Sequence, residues 1–166
     1  MQEFVFGYGS LAADGFAAGE PAQLAGHRRV WGVAMDNRVV VPGYKSYIDP
    51  ATGERAAVFV AFLDIDPDPS AVVHGICMPV DDVLLAALDR RELNYDRHDV
   101  TALMADPPGV VWAYMGSAAG RDRLAEGRRT GTAVISREHL ELCGADPDGL
   151  PVHDLVRVDH PDGHNH

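Results

Sequence analysis

The chain has 166 residues, of which 46% are hydrophobic and 23% are charged, values typical of one soluble globular domain. Its formal net charge of −11 argues against nucleic acid as a partner, because phosphate contacts require a basic surface. The apolar runs are only as long as strands, and residues 1–10 lack the features of a signal peptide, so we expect no membrane association. We expect reduced cysteines and a cytoplasmic location.

Apolar runs predict four strands in the first half of the chain. They are residues 4–8, the segment 25–38 with its apolar part at 30–35, residues 55–65 and residues 71–80. Residues 39–54 and 66–70 are rich in Pro, Gly and Asp, and they predict turn-rich connections.

The second half of the chain predicts two helices around one more strand. Residues 80–95 have an apolar face at helical spacing, and Asp81 or Asp82 can cap the start of this helix. Residues 109–117 predict a strand, bounded by two prolines and a glycine. Residues 132–144 predict a short helix that ends at Gly144.

These elements predict an α+β fold with a mixed sheet, because the strands are mostly consecutive and the βαβαβ alternation of a doubly wound fold is absent. We predict a single domain over residues 1–158 and a flexible, His-rich tail over residues 159–166. The eight histidines lack H-x-x-x-H spacing and the cysteines lack C-x-x-C spacing, so we predict no metal site.

A glycine loop directly follows the first predicted strand. Gly7, Gly9 and Ala12 match the dinucleotide fingerprint, but that fingerprint requires a helix and an acidic residue about 20 positions later. Asp14-Gly15 interrupts the helix, and no acidic residue lies between Glu20 and Asp36. The loop is therefore a tight turn with glycines at positive φ, or a row of backbone N–H groups that binds an anion or oxyanion.

A charged sequence, LDRRELNYDR, ends the predicted helix at residues 88–97. Asp89 and Glu92 are three positions apart, so they lie on roughly one side of the helix. A solvated helix end is one interpretation, because charged side chains are mostly exposed. The other interpretation is a catalytic carboxylate that acts together with the glycine loop.

Together, the two stretches resemble the γ-glutamyl cyclotransferase superfamily. The resemblance consists of Tyr-Gly-Ser-Leu after the first strand, then Leu-Asp-x-x-Glu followed by Tyr-x-Arg, and it extends from about residue 4 to about residue 145. Supporting segments are LAGHRRVW at 24–31, Asp36-Asn37-Arg38, VHGICMPV at 73–80 and VWAYMG at 111–116. Leu93 and Asn94 stand where glutathione-specific, ChaC-like members tend to carry a glycine pair, so the leaving group stays open.

The resemblance implies a small mixed β-barrel of about five to six strands with helices packed around it. It implies that the loop holds the γ-glutamyl group and that a glutamate, matched here by Glu92, carries the proton transfers. The loop positions are Tyr8, Gly9, Ser10 and Leu11. Tyr95 matches the tyrosine that commonly follows the glutamate, and we add Asn37 and Tyr114 as candidate walls of the substrate pocket.

The implied reaction is intramolecular and requires no cofactor. The α-amino group of a γ-glutamyl compound attacks its own γ-carbonyl, which releases 5-oxoproline and a free amine or amino acid. The alternatives are a non-catalytic module of the same fold that binds a small acid, and a nucleotide-binding protein that uses the glycine loop. We expect a small-molecule substrate and either a monomer or a homodimer.

Overall fold

The structure, a computed structural model, describes residues 2–13 and 19–160. Within them the chain forms nine strands and four α-helices, which confirms the predicted α+β class. The strands are β1 Glu3–Gly7, β2 Glu20–Asp36, β3 Lys45–Ile48, β4 Phe59–Val80, β5 Tyr95–Asp99, β6 Val110–Gly116, β7 Ala133–Ser136, β8 Val152–His153 and β9 Val156–Asp159. The helices are α1 Ser10–Ala13, α2 Asp82–Arg91, α3 Ala118–Thr130 and α4 Arg137–Cys143, with a 3₁₀ helix at Thr101–Leu103.

The chain divides into two compact units, which we describe separately. The first consists of residues 1–30 and 63–117, and the second of residues 31–62 and 118–166. No helix within the described part of the chain is long and apolar enough to cross a membrane. A single domain over residues 1–158 stays a prediction.

The first unit contains a mixed sheet with β1 at its centre. Strand β1 is antiparallel to β4, with Gly7 opposite Ile76, and parallel to β6, with Val5 opposite Trp112. Strand β6 is antiparallel to β5. The mixed sheet predicted from the sequence is therefore confirmed, while its closure into a barrel stays a prediction.

Helix α2 packs on this sheet through its apolar face. Leu85 and Leu88 are buried against Val5, Met78 and other members of one core cluster. Of the two predicted candidates, Asp81 is the N-cap, and its side chain accepts a hydrogen bond from the backbone N–H of Leu84 at 2.8 Å. The helix stops at Arg91, four residues before the predicted end at residue 95, because the chain from Tyr95 onward pairs with β6.

The second unit is built from shorter pairings. Strands β3 and β9 form an antiparallel ribbon, β4 runs parallel to β7 at Phe59 and Val60, and β7 runs parallel to β8. Helix α3 approaches this sheet closely at Gly127, where an added Cβ would lie 2.9 Å from the Cβ of Ala133. In the segment predicted to be a flexible tail, Asp159 ends β9 and the backbone N–H of His160 bonds to the carbonyl of Tyr44, while residues 161–166 lie outside the described residues.

Two predicted elements are wrong. Residues 66–70 do not form a turn, because β4 continues through them as one 22-residue strand. The D-P-D-P sequence suits extended backbone, since proline pushes the residue before it toward the β region and is tolerated where a strand is exposed. Residues 132–144 are not one helix: Ala133–Ser136 form the buried strand β7, and α4 follows and ends at Gly144, which has the left-handed backbone expected there.

Candidate active site

The glycine loop joins β1 to α1 in the first unit. The chain bends at Tyr8 and Gly9 and enters α1 at Ser10, and the side chains of Tyr8 and Leu11 are buried. Positive φ occurs at neither Gly7 nor Gly9, so this is not the left-handed glycine turn considered from the sequence. The first N–H groups of a helix have no acceptor within the helix, which keeps the anion-binding interpretation available.

Tyr8 is fixed by contacts at both ends of the residue. Its hydroxyl donates to the backbone carbonyl of Tyr114 at 2.5 Å, and its own carbonyl accepts from Arg29 Nη1 at 3.1 Å. The loop is thereby tied to β6 and to β2. The continuation expected of a dinucleotide loop lies in residues 14–18, outside the described residues.

Glu92, the predicted proton carrier, stands where α2 ends. It is the C-cap residue, with φ −91° and ψ 63°, and its backbone N–H donates to the carbonyl of Leu88 at 2.9 Å. Its carbonyl accepts from the backbone N–H of Tyr95 at 3.2 Å, which starts β5. The glutamate is half-buried, and its backbone is held from both directions.

Asp89, one turn before Glu92, is the centre of a hydrogen-bonded network. Its carboxylate accepts from the hydroxyl of Tyr114 at 2.7 Å and from Arg97 through Nε at 2.9 Å and Nη2 at 3.2 Å. Burial raises the pKa of Asp89, but the hydrogen bonds from Tyr114 and Arg97 together outweigh it, so that the pKa lies below its usual value.

The same network perturbs Tyr114. Burial raises the pKa of Tyr114 above its usual value, and the hydrogen bond to Asp89 and the charges of Asp89 and Glu92 raise it further. The hydroxyl is therefore protonated throughout the physiological range.

The aromatic side chains around this network are also anchored. The hydroxyl of Tyr95 donates to the carbonyl of Leu63 at 2.6 Å, and Trp112 Nε1 donates to Glu3 Oε1 at 3.1 Å. The guanidinium of Arg97 lies over the Trp112 ring, 4.3 Å from its centroid. An open cleft of about 340 Å³ lies here, lined by Asp89, Tyr95, Asp96, Arg97, Trp112 and Tyr114.

The first unit thus brings together most of the residues selected from the sequence. Leu11 and Tyr114 belong to one core cluster against which Tyr95 packs, and Tyr8 is bonded to Tyr114. Gly9 and Ser10 are half-buried in the adjoining loop. The roles of these residues and of Glu92 stay predictions.

Asn37 lies in the second unit and is fully buried. Its Nδ2 donates to the carbonyls of Tyr47 at 2.9 Å and Ala56 at 2.7 Å, and its Oδ1 accepts from the backbone N–H of Tyr47 at 2.8 Å. These bonds support a structural role, and its assignment as a substrate wall stays a prediction.

Sequence reasoning gave no role to four residues that shape this region: Arg29, Asp89, Arg97 and Trp112. Asp89 and Arg97 were visible as parts of the Leu-Asp-x-x-Glu and Tyr-x-Arg sequences, but their mutual contact depends on the turn between α2 and β5. Nothing in the spacing around Arg29 indicates its bond to the loop. Within residues 2–13 and 19–160, no group of three or more His, Cys, Asp or Glu side chains is placed to hold a metal ion.

Comparison with known proteins identifies a family. A family model described as "Gamma-glutamyl cyclotransferase, AIG2-like" matches residues 5–129. No curated protein matches the sequence significantly.

Similar solved structures include one titled "Gamma-glutamyl cyclotransferase", with 14% identity over 70% of this chain and 68% of that one and a TM-score of 0.46. An Arabidopsis thaliana protein solved in solution has 19% identity over 88% and 95% of the two chains and a TM-score of 0.43. An uncharacterized Homo sapiens protein has 14% identity over 86% and 98% and a TM-score of 0.46. At these identities and scores the neighbours carry no argument about activity.

The mixed α+β fold, with a loop and a carboxylate-bearing helix end in one unit, defines a small α+β protein with a candidate site for a small molecule. The family match covers most of the chain. The protein belongs to the AIG2-like γ-glutamyl cyclotransferase family.

Proposed function

We propose that the protein is a γ-glutamyl cyclotransferase that converts a γ-glutamyl amine or γ-glutamyl amino acid into 5-oxoproline and the free amine or amino acid. The observation that carries this proposal is the joining of the glycine loop to the helix that bears Glu92. Tyr8 bonds to the backbone of Tyr114, and the Tyr114 hydroxyl bonds to Asp89 on α2, one turn before Glu92.

The chemistry needs one proton acceptor that later becomes a donor. In the proposed reaction, Glu92 takes a proton from the α-ammonium group, and the freed amine attacks the γ-carbonyl carbon. A new C–N bond closes the five-membered ring, and the γ-amide C–N bond breaks. Glu92 passes the first proton to the departing nitrogen and then accepts the second proton, which the ring nitrogen loses as it becomes a lactam N–H. That second proton goes to the released amine, which leaves as an ammonium group, so that protons and electrons balance without a co-reactant.

The second requirement is a hydrogen-bond donor for the negative charge that develops on the γ-carbonyl oxygen during the attack. The glycine loop supplies it. N–H groups at the start of α1 lack acceptors within the helix and suit an oxyanion or the substrate α-carboxylate. A snug pocket that folds the glutamyl chain back on itself would supply much of the remaining rate.

The test is a panel of γ-glutamyl amines and γ-glutamyl amino acids, glutathione included, with 5-oxoproline measured as the product. We expect the wild type to turn over at least one member. Glu92→Gln preserves the shape of the side chain but cannot accept the proton, so kcat should fall by about 100-fold or more. The matched control is Glu141→Gln, an exposed glutamate on α4 in the second unit.

Two outcomes would contradict the proposal. Turnover by Glu92→Gln at the wild-type rate would remove Glu92 as the base. No turnover of any panel member by a folded wild type that still binds the compounds would favour the non-catalytic binding module.

A further inference from the structure

The hydroxyl of Tyr114 has a single proton, and that proton is committed. It is donated to Asp89 at 2.7 Å, and Asp89 is held in place by two bonds from Arg97. A tyrosine hydroxyl has one donor proton and lone pairs that accept. Toward any group in the cleft, Tyr114 can therefore act only as a hydrogen-bond acceptor.

The hydroxyl proton of Tyr95 and the indole proton of Trp112 are committed in the same way. The hydroxyl proton of Tyr95 goes to the carbonyl of Leu63, and the indole N–H of Trp112 goes to Glu3. Arg97 directs Nε and Nη2 at Asp89. Asp89 and Asp96 line the cleft, and their two negative charges exceed the single positive charge of Arg97, so the cleft suits a ligand group that donates hydrogen bonds and carries positive charge.

We propose that the Tyr114 hydroxyl oxygen accepts a hydrogen bond from the α-ammonium group of the γ-glutamyl substrate, and that Asp89 is a positioning residue that holds this hydroxyl in its accepting orientation. The inference rests on the proposed function for the identity of the ligand. Tyr114 is bonded to Asp89, one turn before Glu92, so an ammonium bound to Tyr114 would lie near the helix end that bears the proposed base. That is where the group that must lose a proton is needed.

Asp89→Asn tests the orientation directly. An asparagine that turns its oxygen toward Arg97 presents its NH₂ group to Tyr114, whose oxygen then accepts and whose proton is released toward the cleft. Tyr114 would change from an acceptor into a donor and would repel an ammonium group. Tyr114→Phe removes the oxygen altogether but keeps the buried ring, so it carries the test if Asp89→Asn does not fold.

The measurement is calorimetric binding of two ligands in a Glu92→Gln background, which prevents their consumption. L-γ-Glutamyl-butylamide carries the α-ammonium group, and glutaryl-butylamide is the same molecule without it. We expect Asp89→Asn and Tyr114→Phe each to weaken binding of the first ligand by about 10- to 100-fold, the range for one hydrogen bond to a charged group, and to leave the second within about twofold. A purely structural role would weaken both ligands equally.

The double variant completes the test. Once Tyr114 has lost its hydroxyl, Asp89→Asn should add no further loss, because Asp89 acts through that hydroxyl. The control is Asp154→Asn, which breaks the exposed ion pair to Arg137 in the second unit and should leave both affinities unchanged.

Three results would overturn the inference. They are additive affinity losses in the double variant, equal losses for the two ligands, and no binding of L-γ-glutamyl-butylamide in the Glu92→Gln background. Turnover of the γ-glutamyl panel is measured separately on the protein with Glu92 intact. Selective ammonium binding without turnover would support the inference and sink the proposed activity. Turnover without that selectivity would sink the inference alone.

Discussion

Replacing Asn37 with alanine should destabilise the protein strongly and leave substrate affinity unchanged. The Asn37 amide satisfies the N–H and C=O groups of Tyr47 and the carbonyl of Ala56, and its side chain is fully buried. It therefore fastens the chain that leaves β2 to the chain around β3. Alanine would remove the partner of the Tyr47 N–H and of the Ala56 carbonyl, while the Tyr47 carbonyl would keep its bond from the backbone N–H of Ala56 at 3.3 Å.

The magnitude follows from the two groups that lose their partner. A buried polar group left unsatisfied costs about 1–3 kcal/mol, and the contact to Ala56 is only partly buried, so we expect a total loss of about 2–4 kcal/mol. That is a large share of the ~5–15 kcal/mol by which ordinary domains are stable. Equilibrium unfolding in urea, compared with wild type at equal m-value, measures the loss.

The control is Arg38→Gln, which breaks the exposed ion pair between Arg38 and Asp36 next to the same site. This change should leave the urea midpoint nearly unchanged, because surface ion pairs contribute little. A loss below about 1 kcal/mol in Asn37→Ala would refute the hydrogen-bond argument. If stability were kept but the KM of an active substrate rose, Asn37 would be a substrate wall after all.

Three further predictions concern pH, capping and close packing. Burial lowers the pKa of His139 to about 4, so as the pH falls the imidazole is protonated in the unfolded state before it is protonated in the folded state. The contribution of the neutral imidazole to the free energy of unfolding is complete above about pH 6.5, and about 3 kcal/mol of it should be lost by the time the pH has fallen below 4. Unfolding at a series of pH values checks this, and His139→Gln should remove that part of the slope. Asp81→Ala should cost about 1 kcal/mol, read from urea midpoints, because it removes the cap on Leu84. Gly75→Ala should cost about 3 kcal/mol or prevent folding, seen by circular dichroism, because its Cβ would lie 2.2 Å from the carbonyl oxygen of Gly7.

The sequence predicted best those elements whose hydrophobic pattern is strong and local. Strand β1, strand β6 and helix α2 were predicted within a few residues at most ends, and the Asp81 cap followed from residue type alone. Helix α3 was not predicted, because its buried residues are Gly120, Leu124 and Gly127. Two of these three are glycines, so the sequence shows no apolar residues at helical spacing. Close approach of a helix to a sheet, rather than large apolar side chains, fills that part of the second unit.

The candidate site was predictable as a set of residues but not as a set of contacts. The loop and the helix end are each recognisable in the sequence, because residue types and spacing are enough for that. The bond between Tyr8 and Tyr114 joins residues 106 positions apart, and the bond between Arg97 and Asp89 requires a reversal of the chain at Glu92. Such contacts depend on strand register, and the pairing of Arg97 opposite Tyr114 is set by the whole β5–β6 ladder.

The compact Leu-Asp-x-x-Glu-x-x-Tyr-x-Arg sequence has a structural reason. Leu88 is buried in the core and fixes the rotation of α2, which directs Asp89 toward Tyr114. Glu92 ends the helix, and the chain returns as β5, so that Arg97 comes back alongside Asp89. Two of the arginine N–H groups are thereby directed at the aspartate.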